Sequence, residues 1–174
     1  MRKPITFYHM NIYKLNIDEL YPVKSRANLK FKLITEKNVT AVAQLRNNTR
    51  LREFKRIIKQ NSIGIAAYDG NQIIGYGWIK WKKCFDNFFF IKKNRALLAS
   101  FYVDSRYRGL GIYPCIIRKL IVEANKQHGI TCFLIGIQNN NIPSIKGAKK
   151  VGFQFLKDYK LLRAFKVTIP KYKI

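Results

Sequence analysis

The chain has 174 residues, and 34 lysines and arginines against 9 acidic residues give it a formal charge of +25. That length fits one domain with a substantial core, and 48% hydrophobic with 14% aromatic residues excludes a disordered chain. The apolar runs are too short to span a bilayer, and no cysteine or histidine cluster has the spacing of a zinc site or a disulfide framework.

The charge attracts polyanions such as nucleotides, nucleic acid or an anionic membrane. Abundant Lys, Asn, Ile, Phe and Tyr also fit translation of an AT-rich genome, which would raise lysine without a function. Cys84, Cys115 and Cys132 are odd in number and widely spaced; Cys115 and Cys132 lie within apolar patterns and read as small buried hydrophobes, with a reducing cytoplasm as the working assumption. The start, Met1-Arg2-Lys3-Pro4, is basic but runs into an alternating pattern, which reads as a strand and not as a secretory signal.

Residues 5–15 alternate as a strand, and residues 18–27 look irregular around Pro22. Residues 29–34 form a half-buried strand, residues 35–39 turn into a helix to about Arg46, and Leu51, Phe54, Ile57 and Ile58 mark a second helix. That helix carries a basic outer face of Arg52, Lys55, Arg56 and Lys59. Two β-rich runs, residues 63–68 and 72–81, flank Asp69-Gly70-Asn71, a hairpin signal. Residues 83–94 read as a loop beside a site.

Residues 96–103 are a buried strand, and Ile112, Ile116, Ile117, Leu120, Ile121 and Ala124 form one apolar face of a helix ended by His128-Gly129. Residues 131–137 are apolar enough to be buried on both faces, so strand, helix and strand imply a right-handed parallel crossover. A helix over residues 143–150 follows, with Pro143 in its first turn. Residues 153–157 and 161–168 then read as two antiparallel strands.

Between the buried strand and the long helix lies Arg106-Tyr107-Arg108-Gly109-Leu110-Gly111. A strand, a glycine turn and a helix N-terminus make a backbone cradle for phosphate. A P-loop would need Gly-Lys-Ser/Thr, and Gly111 is followed by Ile112-Tyr113. A dinucleotide fingerprint would need a third glycine where Pro114 stands. Arg106-x-x-Gly109-x-Gly111 instead matches Arg/Gln-x-x-Gly-x-Gly/Ala. One strand and one helix further on come Asn141-Ile142-Pro143-Ser144 and Val151-Gly152-Phe153.

On these two landmarks the chain resembles the GNAT superfamily of acyl-CoA-dependent N-acyltransferases. The resemblance covers residues 63–168 well and residues 1–60 loosely, as a variable front part of a single domain over 1–174. It implies an α/β fold: a mixed, mostly antiparallel central sheet with a splayed parallel strand pair and flanking helices. It implies acetyl-CoA as co-substrate, with its pantetheine arm along the backbone of Phe101, Tyr102 and Val103. Its pyrophosphate would meet the loop of Arg106, Arg108, Gly109, Leu110, Gly111, Ile112 and Tyr113. Asn141 and Ser144 would touch the arm from the other side, or cap a helix, or do both.

The resemblance also implies attack of an amine on the thioester, an oxyanion met by a strand N–H, and no metal. Many members place a tyrosine seven residues after the landmark Asn, where this chain has Ala148. Others place a glutamate early in the strand, where this chain has Arg95, Ala96 and Leu97. Asp104 reads as a turn former, and His9 and His128 stand in unpromising places. No catalytic acid or base is therefore named.

Few acids remain to hold a cationic amine, so the expected acceptor is an anionic small-molecule amine, first of all a nucleotide-linked amino sugar. The loop over residues 80–95, with Lys82, Lys83, Lys92, Lys93 and Phe88 to Phe90, is a candidate contact for it, or simply a solvated basic loop. Two other readings stay open: a basic GNAT-fold module on RNA or the ribosome, using the second helix and residues 146–173, and acetylation of protein amines. The expected location is the cytoplasm, and the oligomeric state is open, a dimer included.

Overall fold

The computed structural model describes residues 6–81, 94–164 and 167–169. The strands are β1 (Thr6–Asn16), β2 (Lys30–Leu33), β3 (Ile63–Asp69), β4 (Gln72–Lys80), β5 (Arg95–Val103), β6 (Cys132–Gln138), β7 (Gln154–Ala164) and β8 (Val167–Ile169). The helices are α1 (Val39–Gln44), α2 (Leu51–Lys59), α3 (Ile112–His128) and α4 (Ile142–Val151). The strands make one sheet in the order β2-β3-β4-β5-β6-β1-β7-β8. Among the described strands β5 and β6 are the parallel pair, and every other neighbour runs antiparallel. This is the mixed, mostly antiparallel sheet that the resemblance implies.

Two cores lie on the two faces. On one, the stripe of α3 from Ile112 to Ala124 sinks into the sheet with Leu98, Phe133 and Ile135. Gly129 ends α3 in the left-handed region at φ +62°, its N–H bonded to the Asn125 carbonyl at 2.8 Å. On the other face α1 and α2 cover Ala66, Tyr76 and Trp78. Phe54 of α2 is fully buried there, with its ring centroid 5.1 Å from Tyr76 and 5.2 Å from Trp78.

The hairpin over Asp69-Gly70-Asn71 forms as expected, with Asp69 opposite Gln72 and Gly70 at φ +56°. The end of the chain differs from expectation. β7 is one strand of 11 residues, where the sequence suggests a break near residues 158–160. Asp158, Tyr159 and Lys160 stay extended because they pair with Asn11, Met10 and His9 of β1. β1 itself lies inside the sheet, antiparallel to β6 and to β7. The expected loop over residues 83–94 falls, except for Asn94, outside the described residues.

The parallel pairing is short. Arg95 to Leu98 of β5 pair with Cys132 to Ile135 of β6, and the ladder stops there. Just beyond, Ser100 takes φ +54°. Against β4, Tyr76 faces Tyr102 while Trp78 faces Ala99, so two residues of β5 oppose one of β4. That is a β-bulge, and it turns the end of β5 away from β6. The strands part toward the C-terminal edge of the sheet.

Phe54 is the anchor that seats α2. Phe54→Ala is expected to cost about 3–5 kcal/mol, read as a lowered midpoint in urea unfolding. A loss under about 1 kcal/mol would show that α2 docks by other contacts.

Candidate active site

The strand before the glycine loop ends at Asp104, whose carboxylate accepts from the Arg106 N–H at 3.0 Å and starts a short 3-10 turn, Ser105–Tyr107. Gly109 and Gly111 both take φ +81°, where an L side chain is strained, and Gly111 is the N-cap of α3. The first-turn amides of a helix have no acceptor within it. Among the described residues the amides of 109–113 donate to no carbonyl. Pro114, third in the helix, has no N–H to leave unpaired.

The loop is strapped from behind. The Leu110 carbonyl accepts from the Arg26 N–H at 3.0 Å and from the Ser25 hydroxyl at 2.9 Å. A Cβ on Gly111 would stand 2.9 Å from the Lys24 carbonyl oxygen. The stretch read as irregular, residues 18–27, therefore sets the loop's height over the sheet.

An open cleft of about 470 Å³ runs from this loop along the end of β5, between the start of α3 and α4. A smaller chamber of about 240 Å³ continues it between the parted strands, lined by Leu98, Ala99, Ser100 and Ile135 to Gln138. Phe101, Tyr113, Asn141 and Ser144 line both.

Ten of the twelve residues expected at the cofactor line the cleft: Phe101, Tyr102, Val103, Arg108, Gly109, Gly111, Ile112, Tyr113, Asn141 and Ser144. Arg106 and Leu110 do not. Arg106 is 68% exposed and turned back on Asp104, with guanidinium-to-carboxylate contacts of 2.8 and 3.2 Å. Leu110 packs its side chain on the core. Sequence reading missed Tyr107, Pro114, Pro143, Lys146, Gly147 and Lys150, which also line the cleft. The two lysines lie four apart, one turn of α4, and that spacing was the signal available.

Asn141 caps α4: its side chain accepts from the Ser144 N–H at 3.3 Å. Tyr113 lies edge-on to Phe101, centroids 5.0 Å apart, and its hydroxyl is hydrogen-bonded with that of Ser144. Burial pushes the Tyr113 phenol far up, so it stays protonated. The ring covers Gly147, where a Cβ would come within 2.6 Å of it. Ala148, where the expected tyrosine is missing, is wholly buried in the core. His128 packs on Trp81 at 4.3 Å between centroids, and His9 is exposed at the far strand.

The residues present fit a long ligand with a phosphate head. Open space lies where a Cβ of Gly109 would point, the amides of 109–113 donate to no carbonyl, and Arg108, Lys146 and Lys150 on the cleft wall supply charge. Among the described residues there is no group of side chains that would hold a metal ion. No helix among them is long and apolar enough to cross a membrane.

The acetyltransferase (GNAT) family model matches residues 31–153, and the chain belongs to that family. Its fold is similar to that of a GNAT-family acetyltransferase from Colwellia psychrerythraea, at TM-score 0.69 and 14% identity over 95% of this chain and 58% of that one. It is also similar to the yncA protein of Salmonella typhimurium, solved with its cofactor acetyl-CoA, at TM-score 0.58 and 18% identity over 72% of this chain and 79% of that one. A glucosamine N-acetyltransferase region of a fungal multi-domain β-N-acetylglucosaminidase aligns at TM-score 0.63 and 16% identity, over 90% of this chain and 20% of that one. The chain spans little more than half the length of the Colwellia protein. No curated protein sequence matches it.

Two outcomes test this geometry. Gly109→Glu, which puts a carboxylate into the open space over the loop, should abolish CoA binding in calorimetry while Arg106→Ala leaves it within about threefold. Unchanged affinity in a folded Gly109→Glu variant would remove the loop from the binding site. The Arg106 hydrogen bonds hold the Asp104 carboxyl at about 2, below its ordinary 3.8. A lowered folded value means this contribution to stability is complete above pH 3.8 and fades as pH falls toward 2. An NMR titration of Asp104 should show that midpoint in the wild type and return toward 3.8 in Arg106→Ala.

Proposed function

We propose that the protein is an acetyl-CoA-dependent N-acetyltransferase acting on a small-molecule amine that carries an anionic group, with a nucleotide-linked amino sugar as the leading candidate. The observation that carries this reading is the continuous cleft from the left-handed glycine loop to the parted strands. A bound thioester supplies an activated acyl group. The loop amides, Arg108, Lys146 and Lys150 bind its phosphate end. The backbone of Phe101 to Val103 lies along the cleft wall and aligns the arm, and its N–H groups are the candidate oxyanion donors. Tyr113 and Ser144 line both the cleft and the chamber and would flank the arm where the two meet.

The anionic acceptor rests on charge. Arg52, Lys55, Arg56 and Lys59 are all exposed on α2, on the sheet face opposite α3. An approaching anion is concentrated there. An amino sugar agrees with the occurrence of this fold in the fungal glucosamine N-acetyltransferase region. The same basic face is the basis of the competing reading, an RNA-binding module.

The test is thiol release from acetyl-CoA with an amine panel of a nucleotide-linked amino sugar, an aminoglycoside and a polyamine. Turnover should favour the nucleotide sugar, with a KM that rises with salt. No thiol release with any amine, alongside CoA binding and RNA affinity that drops steeply with salt, would support the RNA module instead.

A further inference from the structure

The cofactor side of the gap is well supplied with groups, but neither landmark carries a proton acceptor for the amine. The missing carboxylate comes from elsewhere in the chain. Leu51, Phe54 and Ile58 turn one face of α2 to the sheet, and Glu53 sits beside Phe54, half-buried over the bulge of β5. The Arg50 guanidinium donates to Glu53 Oε2 at 2.7 Å. The Ser100 hydroxyl donates to Oε1 at 3.4 Å. Ser100 is the bulge residue and lines the chamber between the parted strands. Among the described carboxylates it is Glu53 that hydrogen-bonds a residue lining this chamber.

We infer that Glu53 is the catalytic base that takes the acceptor's proton, an inference that rests on the transferase reading above. Arg50 occupies one carboxylate oxygen and fixes the other toward the bulge. The 3.4 Å contact from Ser100 is long enough to be exchanged for a contact from an incoming amine. One ammonium proton passes to Oε1 and on to solvent. The freed lone pair bonds the acyl carbon as the carbon–sulfur bond breaks, and the second nitrogen proton leaves with the sulfur. No oxidant or further reactant is required.

The groups around Glu53 are Arg50 on its own helix, Ser100 on β5 and Tyr76 on β4, with Arg46 and Tyr102 reaching Tyr76 beyond them. Arg46 donates to the Tyr76 hydroxyl and lies 5.8 Å from the centre of the Tyr102 ring. Burial pushes the Tyr76 phenol up, which leaves it protonated at working pH, while Arg46 and Arg50 pull it part of the way back. One carboxylate beside two guanidinium groups suits an amine that carries its anionic group close by. That is a narrower class than the overall charge implies.

The experiment measures thiol release with the best amine of the panel for the wild type, Glu53→Gln, Glu53→Asp and the exposed control Glu36→Gln, together with CoA affinity by calorimetry. Glu53→Gln should lose about 100-fold or more in kcat. It should bind CoA within about twofold of the wild type, while Glu36→Gln behaves as wild type. A folded Glu53→Gln enzyme that keeps the wild-type rate overturns the inference while leaving the transferase reading intact. If Glu53→Gln does not fold, Glu53→Asp decides: a loss of about tenfold or more supports the role, and wild-type turnover overturns it. Absence of thiol release from the wild type with every amine, despite CoA binding, overturns the transferase reading and this inference with it.

Discussion

The structure depends on where the β5–β6 ladder stops. Four residue pairs hold the two strands together, from Arg95 and Cys132 to Leu98 and Ile135, and then Ser100 enters the left-handed region. A non-glycine residue there is strained, and the strain is held by the pairing of β4 with β5 on either side of the bulge. The parting leaves backbone groups of Phe101 to Val103 and of Gly136 to Gln138 without the neighbour that a full ladder would give them. Apart from the Val103 carbonyl, which accepts from Arg108 Nε at 3.3 Å, that backbone edge is open to a partner. The cleft is the place where a ligand would supply one.

The bulge also decides which side chains meet. Before it, Ala96 and Leu98 face the α3 core; after it, Phe101 and Val103 do. The two-residue alternation of a regular strand would have put Tyr102, and not Phe101, on that face. Here Phe101 meets Tyr113 edge-on, and Tyr102 stacks on Tyr76 at 6.0 Å on the opposite face, under Arg46. Gly77 makes this possible on β4, since a Cβ there would come within 2.3 Å of the Phe101 ring. One extra residue in one strand thus sends Phe101 to the cleft face and Tyr102 to the face covered by α1 and α2.

Local signals made much of this legible. The six-residue stripe of α3, the Asp-Gly-Asn hairpin and the two landmarks all have causes that act within a few residues, and the elements formed where those causes lay. The unreadable parts depend on distant partners. Asp158 to Lys160 look like a turn until β1 pairs with them. Residues 18–27 have no periodicity because their hydrogen bonds go to Leu110 and Val151, at the ends of two other elements. Arg106 matches the loop pattern, yet Asp104 two residues earlier takes its guanidinium away from the cleft. Glu53 carries no motif at all; only docking of α2 through Phe54 brings it to Ser100.

The charge of +25 has a chemical consequence as well as a recruiting one. A positive field disfavours every added positive charge, so it lowers the cost of removing a proton from an ammonium held within it. On the proposed reading, a catalytic site set among Arg46, Arg50 and the basic face of α2 would favour the neutral, nucleophilic amine before any base acts. It would repel a polyamine for the same reason and draw in an amine tethered to phosphate or carboxylate by its other end. On this view one carboxylate is enough at the bulge. Its task is to give the departing proton a defined path, and Arg50 keeps that carboxylate oriented where water alone would offer none.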